Sequence, residues 1–590
     1  MTRFLATRPL IVMLATGLVL VGAVAIATTA IASAVPLGAS IRGSVVPGAA
    51  AQRADTIRGV NTSAVVVAIR HCVAGVRPPH LPPAHWQHIQ RLYAAYGDTA
   101  LWFGPGGLNE PRVRGLLTAL IDASADGLRL EEFGIGDIAR SVAAIRLATR
   151  LTADEIAAVD VLLTTAYVAL ASDLLSGQLD PRMLAQAWHV HLGQERLDSA
   201  VARSLRDRDL DSALARMRPG DDNYAALRRE LMTLREVVSR GGWVTVPVGR
   251  TLKVGDVEPA ARLAAVRERL GEVGILAGAP EPHLAAPPMR ASDVPLEIYG
   301  VDLASAVARF QARHGLTVDS ALGKATIAAM NVPAAYRLGQ IAANLERHRW
   351  LPHTLGERYV LVNVPAFRLE AFDSTEKALE MKVIVGQEYE GRRTPVFADS
   401  TEYVVFRPYW LVPPSIQAKE LAPKFARDPG AMARENYEYY RANGVRRIRQ
   451  RPGETNALGL LKFIFPNDFN IYLHDTPQDE LFTRDIRAFS HGCIRLEKPE
   501  LLAQWVLGWP QARVDDAVHG PDDTRVLLPT KIPVYIAYFT TYVRDNALYF
   551  GNDLYSRDAA VVKAVAPGAL PSADVLRALE ALRAVVSTAP

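Results

Sequence analysis

Apolar residues recur at two different periods along this chain, and the change from one to the other divides it. Between Trp86 and Met330 they return at helical spacing, whereas after Trp350 they alternate with polar residues or run in short β-branched stretches. One layer of structure cannot accommodate both periods. The pattern predicts a multidomain α+β chain, helical first and mostly β afterwards. A length of 590 residues leaves room for about three or four domains.

The helical part opens with strong punctuation. Asn109 and Pro111 start a segment whose Val113, Leu116, Leu117, Leu120 and Ile121 share one face, and Gly127 closes it. Thr152 and Glu155 form a capping-box pattern before Ile156, Val159, Leu163, Tyr167, Leu170 and Leu174. Residues 84–245 therefore read as a helical scaffold, with nothing paired for chemistry. Residues 250–335 read as a three-helix module. Pro259 starts its first helix, Asp302 caps the second, Gly315 ends that one, and the third runs from Lys324 to Met330. The Pro- and Ala-rich stretch 277–295 reads as an insertion between the first two.

Strands are expected at Tyr359–Val364, Lys382–Val385, Tyr403–Phe406 and Pro533–Tyr538, within a β domain over 355–550. Residues 410–456 interrupt it with a polar, helical texture: a helix capped by Ser415, then Tyr437, Tyr439 and Tyr440. So long an interruption reads as a lid. Pro499 starts a further helix, and 551–590 reads as a tail with one extra helix and no site chemistry.

At the amino terminus Arg3 and Arg8 precede an uncharged run to Ile41, with Ala32-Ser33-Ala34 as a cleavage pattern. Residues 1–34 are read as a signal peptide or an uncleaved membrane anchor, and 35–83 as a linker. Either reading puts the body outside the cytoplasmic membrane. A net charge of +4 is small for this length and makes no case for nucleic acid. Two cysteines, Cys72 and Cys493, build no disulfide framework.

Chemistry concentrates in Asn470-Ile-Tyr-Leu-His-Asp-Thr-Pro477 and Ser490-His-Gly-Cys-Ile-Arg495. The first is a short apolar strand with His474 at its end. The second is a turn presenting Cys493 beside His491. A thiol attacks as its thiolate, and a neighbouring imidazolium would lower its pKa. Gly492 permits a tight turn, and its N–H next to that of Cys493 would hold a developing oxyanion. Two other readings of these residues exist: an inert buried cysteine, and a zinc site from His474, His491 and Cys493 that lacks a fourth ligand.

His474, followed after fifteen residues by Ser490-His491-Gly492-Cys493, resembles the signature of the YkuD-type L,D-transpeptidase catalytic domain. Ile494-Arg495 after the cysteine resembles the large, YcbB-like branch. The resemblance implies Cys493 as nucleophile, His474 as general base and His491 as a site-shaping residue. Gly492 would form the oxyanion hole, and Ser490, Tyr472, Asp475 and Arg495 would line the substrate site. Arg495 is equally open to a structural salt bridge, and Asp475 orients His474 through either its side chain or its backbone. No metal or organic cofactor is implied.

Residues 84–245 resemble the scaffold of that branch. The run Ala306–Leu316 with Asp319 and Leu322-Gly323 resembles the peptidoglycan-binding type 1 domain. The implied substrate is the peptidoglycan stem peptide, and the acceptor is a second stem, water or a lipoprotein lysine. A non-catalytic wall-binding scaffold is the alternative of another class. The oligomeric state is not addressed by the sequence.

Overall fold

A computed structural model describes residues 56–588 except 80, 185–187, 191–196, 208, 277–294 and 390. The leader reading of 1–34, the linker reading as far as residue 55, and nearly all of the 277–295 insertion lie outside the described residues. The described chain mixes helices and strands as expected, in a multidomain α+β arrangement with the helices first.

Eight helices build the first layer: α1 Thr62–Ala74, α2 Pro83–Ala95, α3 Glu110–Asp122, α4 Ile135–Leu147, α5 Ala153–Ser176, α6 Leu197–Ser204, α7 Leu210–Ala215 and α8 Asp222–Ser239. The capping box of Thr152 and Glu155 starts α5. This helix is apolar enough and long enough to span a membrane, yet most of it is buried beneath α1, α2 and α4. Its Asp160 accepts hydrogen bonds from the Leu101 and Trp102 N–H groups and the Tyr93 hydroxyl, which satisfies a buried carboxylate.

Helix α1 overturns the linker reading for 56–83. The Asn61 side chain accepts the Ser63 N–H at 2.8 Å, and Val65, Ala68, Ile69 and Val73 bury one face against α5. Flanking Gly and Pro residues diluted that short helical period.

A small module follows, with α9 Ala260–Glu272, α10 Val301–Arg313 and α11 Lys324–Met330 around Leu263, Val307 and Phe310. The α10 cap is Gly300, not Asp302. Asp302 already sits in the first turn, where its charge suits the helix dipole.

Helix α12, Ala334–Arg349, has no counterpart in the sequence reading. It runs buried between α8 and the helix Asp558–Ala569, and several of its charges are paired within the protein. Arg347 meets Asp558 at 2.6 Å and Arg349 meets Glu346 at 2.6 Å. Glu346 also accepts the Leu179 N–H and the Trp350 indole N–H. Leu338, Ile341 and Leu345 share one face in the core, but the charged residues on the other faces do not announce a helix buried all round.

The β domain is a nine-stranded sheet. Its strands are β1 Arg358–Asn363, β2 Arg368–Asp373, β3 Glu376–Gly386, β4 Phe397–Phe406, β8 Leu461–Ile464, β9 Leu473–His474, β10 Ala488–Ser490, β11 Ile494–Leu496 and β12 Thr524–Ala537. In space they run β10-β3-β11-β9-β8-β4-β12-β1-β2, and β3 also pairs with β2, closing the sheet on itself. Helices α13 Pro499–Leu507 and α14 Gln511–Val518 follow β11.

The insertion between β4 and β8 has its own core of Val412, Ile416, Leu421, Phe425 and Ile448. Short helical turns over 414–434 are joined by a three-stranded sheet of β5 Trp410–Leu411, β6 Tyr437–Ala442 and β7 Val445–Gln450. A purely helical reading missed the β6–β7 hairpin. Its loop is Asn443-Gly444, both at positive φ, a dipeptide that favours the two-residue turn matching strand twist. Pro413 rather than Ser415 holds the cap position of the first turn.

The tail holds two helices, α15 Asp558–Ala569 against α12 and α16 Ala573–Ser587 against α3 and α4.

Candidate active site

Sheet register places the candidate residues on one face. Strand β9 runs antiparallel to β8, with Lys462 opposite His474, and parallel to β11, with His474 opposite Arg495. The Ile494 N–H reaches the Tyr472 carbonyl oxygen at 3.1 Å, setting Cys493 beside Tyr472. Side chains alternate along strands, so Tyr472, His474, Cys493, Arg495 and Lys462 share a side. Leu461, Phe463, Leu473, Ile494 and Leu496 fill the core on the other.

His474 is 4% exposed. Its Nδ1 lies 2.5 Å from the Asp475 carbonyl oxygen. A carbonyl can only accept, so Nδ1 carries the proton and Nε2 keeps its lone pair. Burial pushes the His474 pKa down to about 3, with Arg495 and Lys462 acting in the same direction. The imidazole is therefore neutral at ordinary pH, and the imidazolium expected beside the thiol is absent because the ring is buried next to two cations.

The Asp475 carboxylate faces away from the imidazole. Its oxygens accept the Leu460 and Thr476 N–H groups, each at 2.7 Å. Burial lifts its pKa to about 6. The backbone of Asp475, not its side chain, orients His474.

Cys493 is half-buried, with Sγ 3.8 Å from the Asn470 carbonyl oxygen. Burial pushes its pKa up, while the Tyr472 backbone N–H and phenol, Lys462 and Arg495 pull it down. Gly492 turns the loop at φ +120°. Ser490 Oγ braces the turn, donating to the Cys493 carbonyl oxygen at 2.5 Å and accepting the Gly492 N–H at 3.1 Å. That corrects the two-donor oxyanion hole: the Gly492 N–H is engaged, and of the pair the Cys493 N–H is the one with no partner among the described residues.

The loop is held from behind as well. Thr394 Oγ1 donates to the Gly492 carbonyl oxygen at 2.8 Å, and the Tyr555 hydroxyl donates to the Gly386 carbonyl oxygen at 2.7 Å while accepting the Thr394 N–H at 3.1 Å. Tyr555 belongs to the tail, which revises the reading of that segment as unconnected to the site.

His491 turns outward, its Nε2 2.7 Å from Glu420 Oε1 in the insertion. Arg392 Nη2 donates to the same oxygen at 2.9 Å. The three ligand-type side chains of the zinc alternative do not gather, and no metal-holding cluster occurs among the described residues. Arg495 donates to Gln478 Oε1 at 2.6 Å and has no ion pair among the described residues. A cavity of about 670 Å³ lies elsewhere, between the start of α8, residues 351–357 and β1–β2, and no residue of the catalytic face lines it.

Residues 357–536 match the family model for the L,D-transpeptidase catalytic domain. That segment is a YkuD-type L,D-transpeptidase catalytic domain.

Residues 87–231 match the model described as a scaffold domain, and 289–330 match that described as a "Putative peptidoglycan binding domain". A curated "Putative L,D-transpeptidase" of Haemophilus influenzae is 31% identical over 242 residues, covering 38% of this chain and 48% of that protein. The match thus spans about half the length of the relative. A crystal structure of an L,D-transpeptidase from Xylanimonas cellulosilytica (residues 123–326) aligns at 14% identity with a TM-score of 0.15, covering 49% of this chain and 98% of that one.

Sequence reasoning about this site passed over Lys462, Glu420, Arg392, Thr394 and Tyr555. Only Lys462 carried a local signal, as the lone cation in the apolar strand Leu460–Phe465. The others reach the site through folding.

Proposed function

We propose that this chain acts outside the cytoplasmic membrane on peptidoglycan stem peptides, through Cys493. As the thiol attacks the carbonyl between the third and fourth stem residues, Nε2 of His474 takes the sulfhydryl proton. The C–S bond forms, the C–N bond breaks, and His474 returns the proton to the departing D-alanine amine. The resulting thioester is attacked by an acceptor amine that loses its proton to the same Nε2. The Cys493 N–H would stabilise the oxyanion at each tetrahedral stage.

One observation carries the reading: Cys493 shares a sheet face with a neutral histidine whose Nδ1 proton is already committed, so the only base position open is Nε2. Digesting wall material after incubation with the enzyme and weighing the fragments tests reaction and acceptor together. The expected product is a cross-link between the third residues of two stems. Stems shortened by D-alanine without a cross-link would mean water is the acceptor. Stems joined to a lipoprotein lysine would give a third assignment, and unchanged fragments would leave a wall-binding scaffold.

Export rests on the charge pattern of residues 1–34 and wall binding on residues 250–335. A reporter that fluoresces only in the cytoplasm, fused after Pro590, should stay dark. Module 252–332 alone should sediment with purified sacculi. Bright cells, or a module left in the supernatant, would contradict the respective proposals.

A further inference from the structure

Lys462 is a cation with no ion-pair partner among the described residues, on the sheet face that carries Cys493 and His474. It is half-buried on β8 between Leu461 and Phe463, and register sets it directly opposite His474. Its ammonium lies 3.8 Å from the centroid of the Tyr472 ring. Among the described residues it makes no hydrogen bond and no ion pair. Taking an ammonium out of water is costly unless it is paired, and a cation–π contact offsets only part of that cost. An apolar residue at this strand position would avoid the cost altogether.

The buried histidine cannot supply a positive charge to the thiol, because it is neutral. We propose that Lys462 is the positioning residue that favours Cys493 as its thiolate, the electrostatic role a protonated histidine fills in other cysteine–histidine pairs, leaving His474 free to move protons. This rests on Cys493 being the nucleophile.

The charges around the pair are consistent with that division. Cys493 is faced by Tyr472, Lys462 and Arg495, all drawing its pKa down against burial. Burial lowers Lys462, and Cys493 and Asp523 oppose it. Burial also lowers Arg495, opposed by Cys493 and Glu480. Burial, aided by the same two cations, holds His474 neutral. The same cations thus offset part of the burial that raises the thiol pKa, stabilising the thiolate as its proton passes to Nε2 of His474.

The test is the rate of Cys493 alkylation by iodoacetamide against pH, with peptide mapping to separate Cys72, in wild type, Lys462→Met, Lys462→Arg and His474→Gln. Thermal melts establish that each variant is folded. Lys462→Met should raise the alkylation midpoint by about one pH unit or more. Lys462→Arg should restore most of it, and His474→Gln should move it less than Lys462→Met does. Turnover of Lys462→Met should fall about tenfold at neutral pH and recover as pH passes the new midpoint. An unmoved midpoint in folded Lys462→Met, with only KM raised, would overturn the proposal and make Lys462 a contact for a substrate carboxylate. A midpoint shift in Lys462→Met that Lys462→Arg does not reduce would also overturn it. Alkylation needs no substrate, so this result stands apart from whether Cys493 is ever acylated.

Discussion

His474 donates its Nδ1 proton to the carbonyl oxygen of Asp475, its own neighbour, at 2.5 Å. The backbone there is fixed by the carboxylate of that same Asp475, which accepts the N–H groups of Leu460 and Thr476 at 2.7 Å each. One residue thus serves the base with its carbonyl and anchors the carbonyl with its side chain. The imidazole tautomer is set by main-chain geometry, and no neighbouring carboxylate is needed to hold it.

Gly459 is where that anchor is most exposed to substitution. A Cβ at this position would fall 2.2 Å from Asp475 Oδ2, and the residue sits at φ +60°. Gly459→Ala should destabilise the protein by about 1–3 kcal/mol and reduce kcat more than it raises KM. Urea melts and steady-state kinetics check both. Unchanged kcat in a folded variant would detach Asp475 from the positioning of His474.

Acid should cost stability through His474. Its native pKa of about 3 lies below the usual histidine value, so between those two pH values the unfolded chain binds more protons. The contribution is present above about pH 6.5 and is lost as pH falls, amounting to roughly 3 kcal/mol by pH 4. Asp475, raised to about 6, works in the opposite sense over the upper part of the same window. Denaturant midpoints at pH 7 and pH 4 should therefore fall further for wild type than for His474→Gln. Equal losses would show that the histidine titrates normally.

The insertion should be removable from the fold but not from the activity. Its core of Val412, Ile416, Leu421, Phe425 and Ile448 is separate from the core of the sheet. It meets the site where Glu420 holds His491 and Arg392. Replacing 412–448 with a short Gly-Ser loop should leave the melting temperature within a few degrees of wild type, roughly the effect of 1 kcal/mol. Turnover on a full-length stem should fall at least about tenfold, or 1.4 kcal/mol of transition-state binding. Unchanged turnover would take the insertion out of the mechanism.

Much of this was legible from local pattern. The Thr152 capping box, the β-branched strands and the spacing of His474 to Cys493 each depend on neighbours in sequence, and each appears where expected. The roles of α12, Glu420 and Tyr555 were not legible, because their partners come from far along the chain. Arg347 is explained only by Asp558, and Glu420 only by His491. The β6–β7 hairpin was legible in its Asn443-Gly444 turn and was lost to the polar texture around it. The expected imidazolium failed for a different reason: composition does not report burial, and burial decides which form of a histidine exists.

The central claim is that Cys493 is acylated by a stem peptide with loss of D-alanine. Incubating the full chain with a tetrapeptide-stem muropeptide and weighing the intact protein tests it most directly. The account predicts an increase equal to the donor minus D-alanine, located at Cys493 by peptide mapping, removed by hydroxylamine as a thioester is, and absent from Cys493→Ala. An adduct of the same mass persisting in folded Cys493→Ala, or no adduct while the wild type turns the donor over and the quench is faster than deacylation, would contradict it.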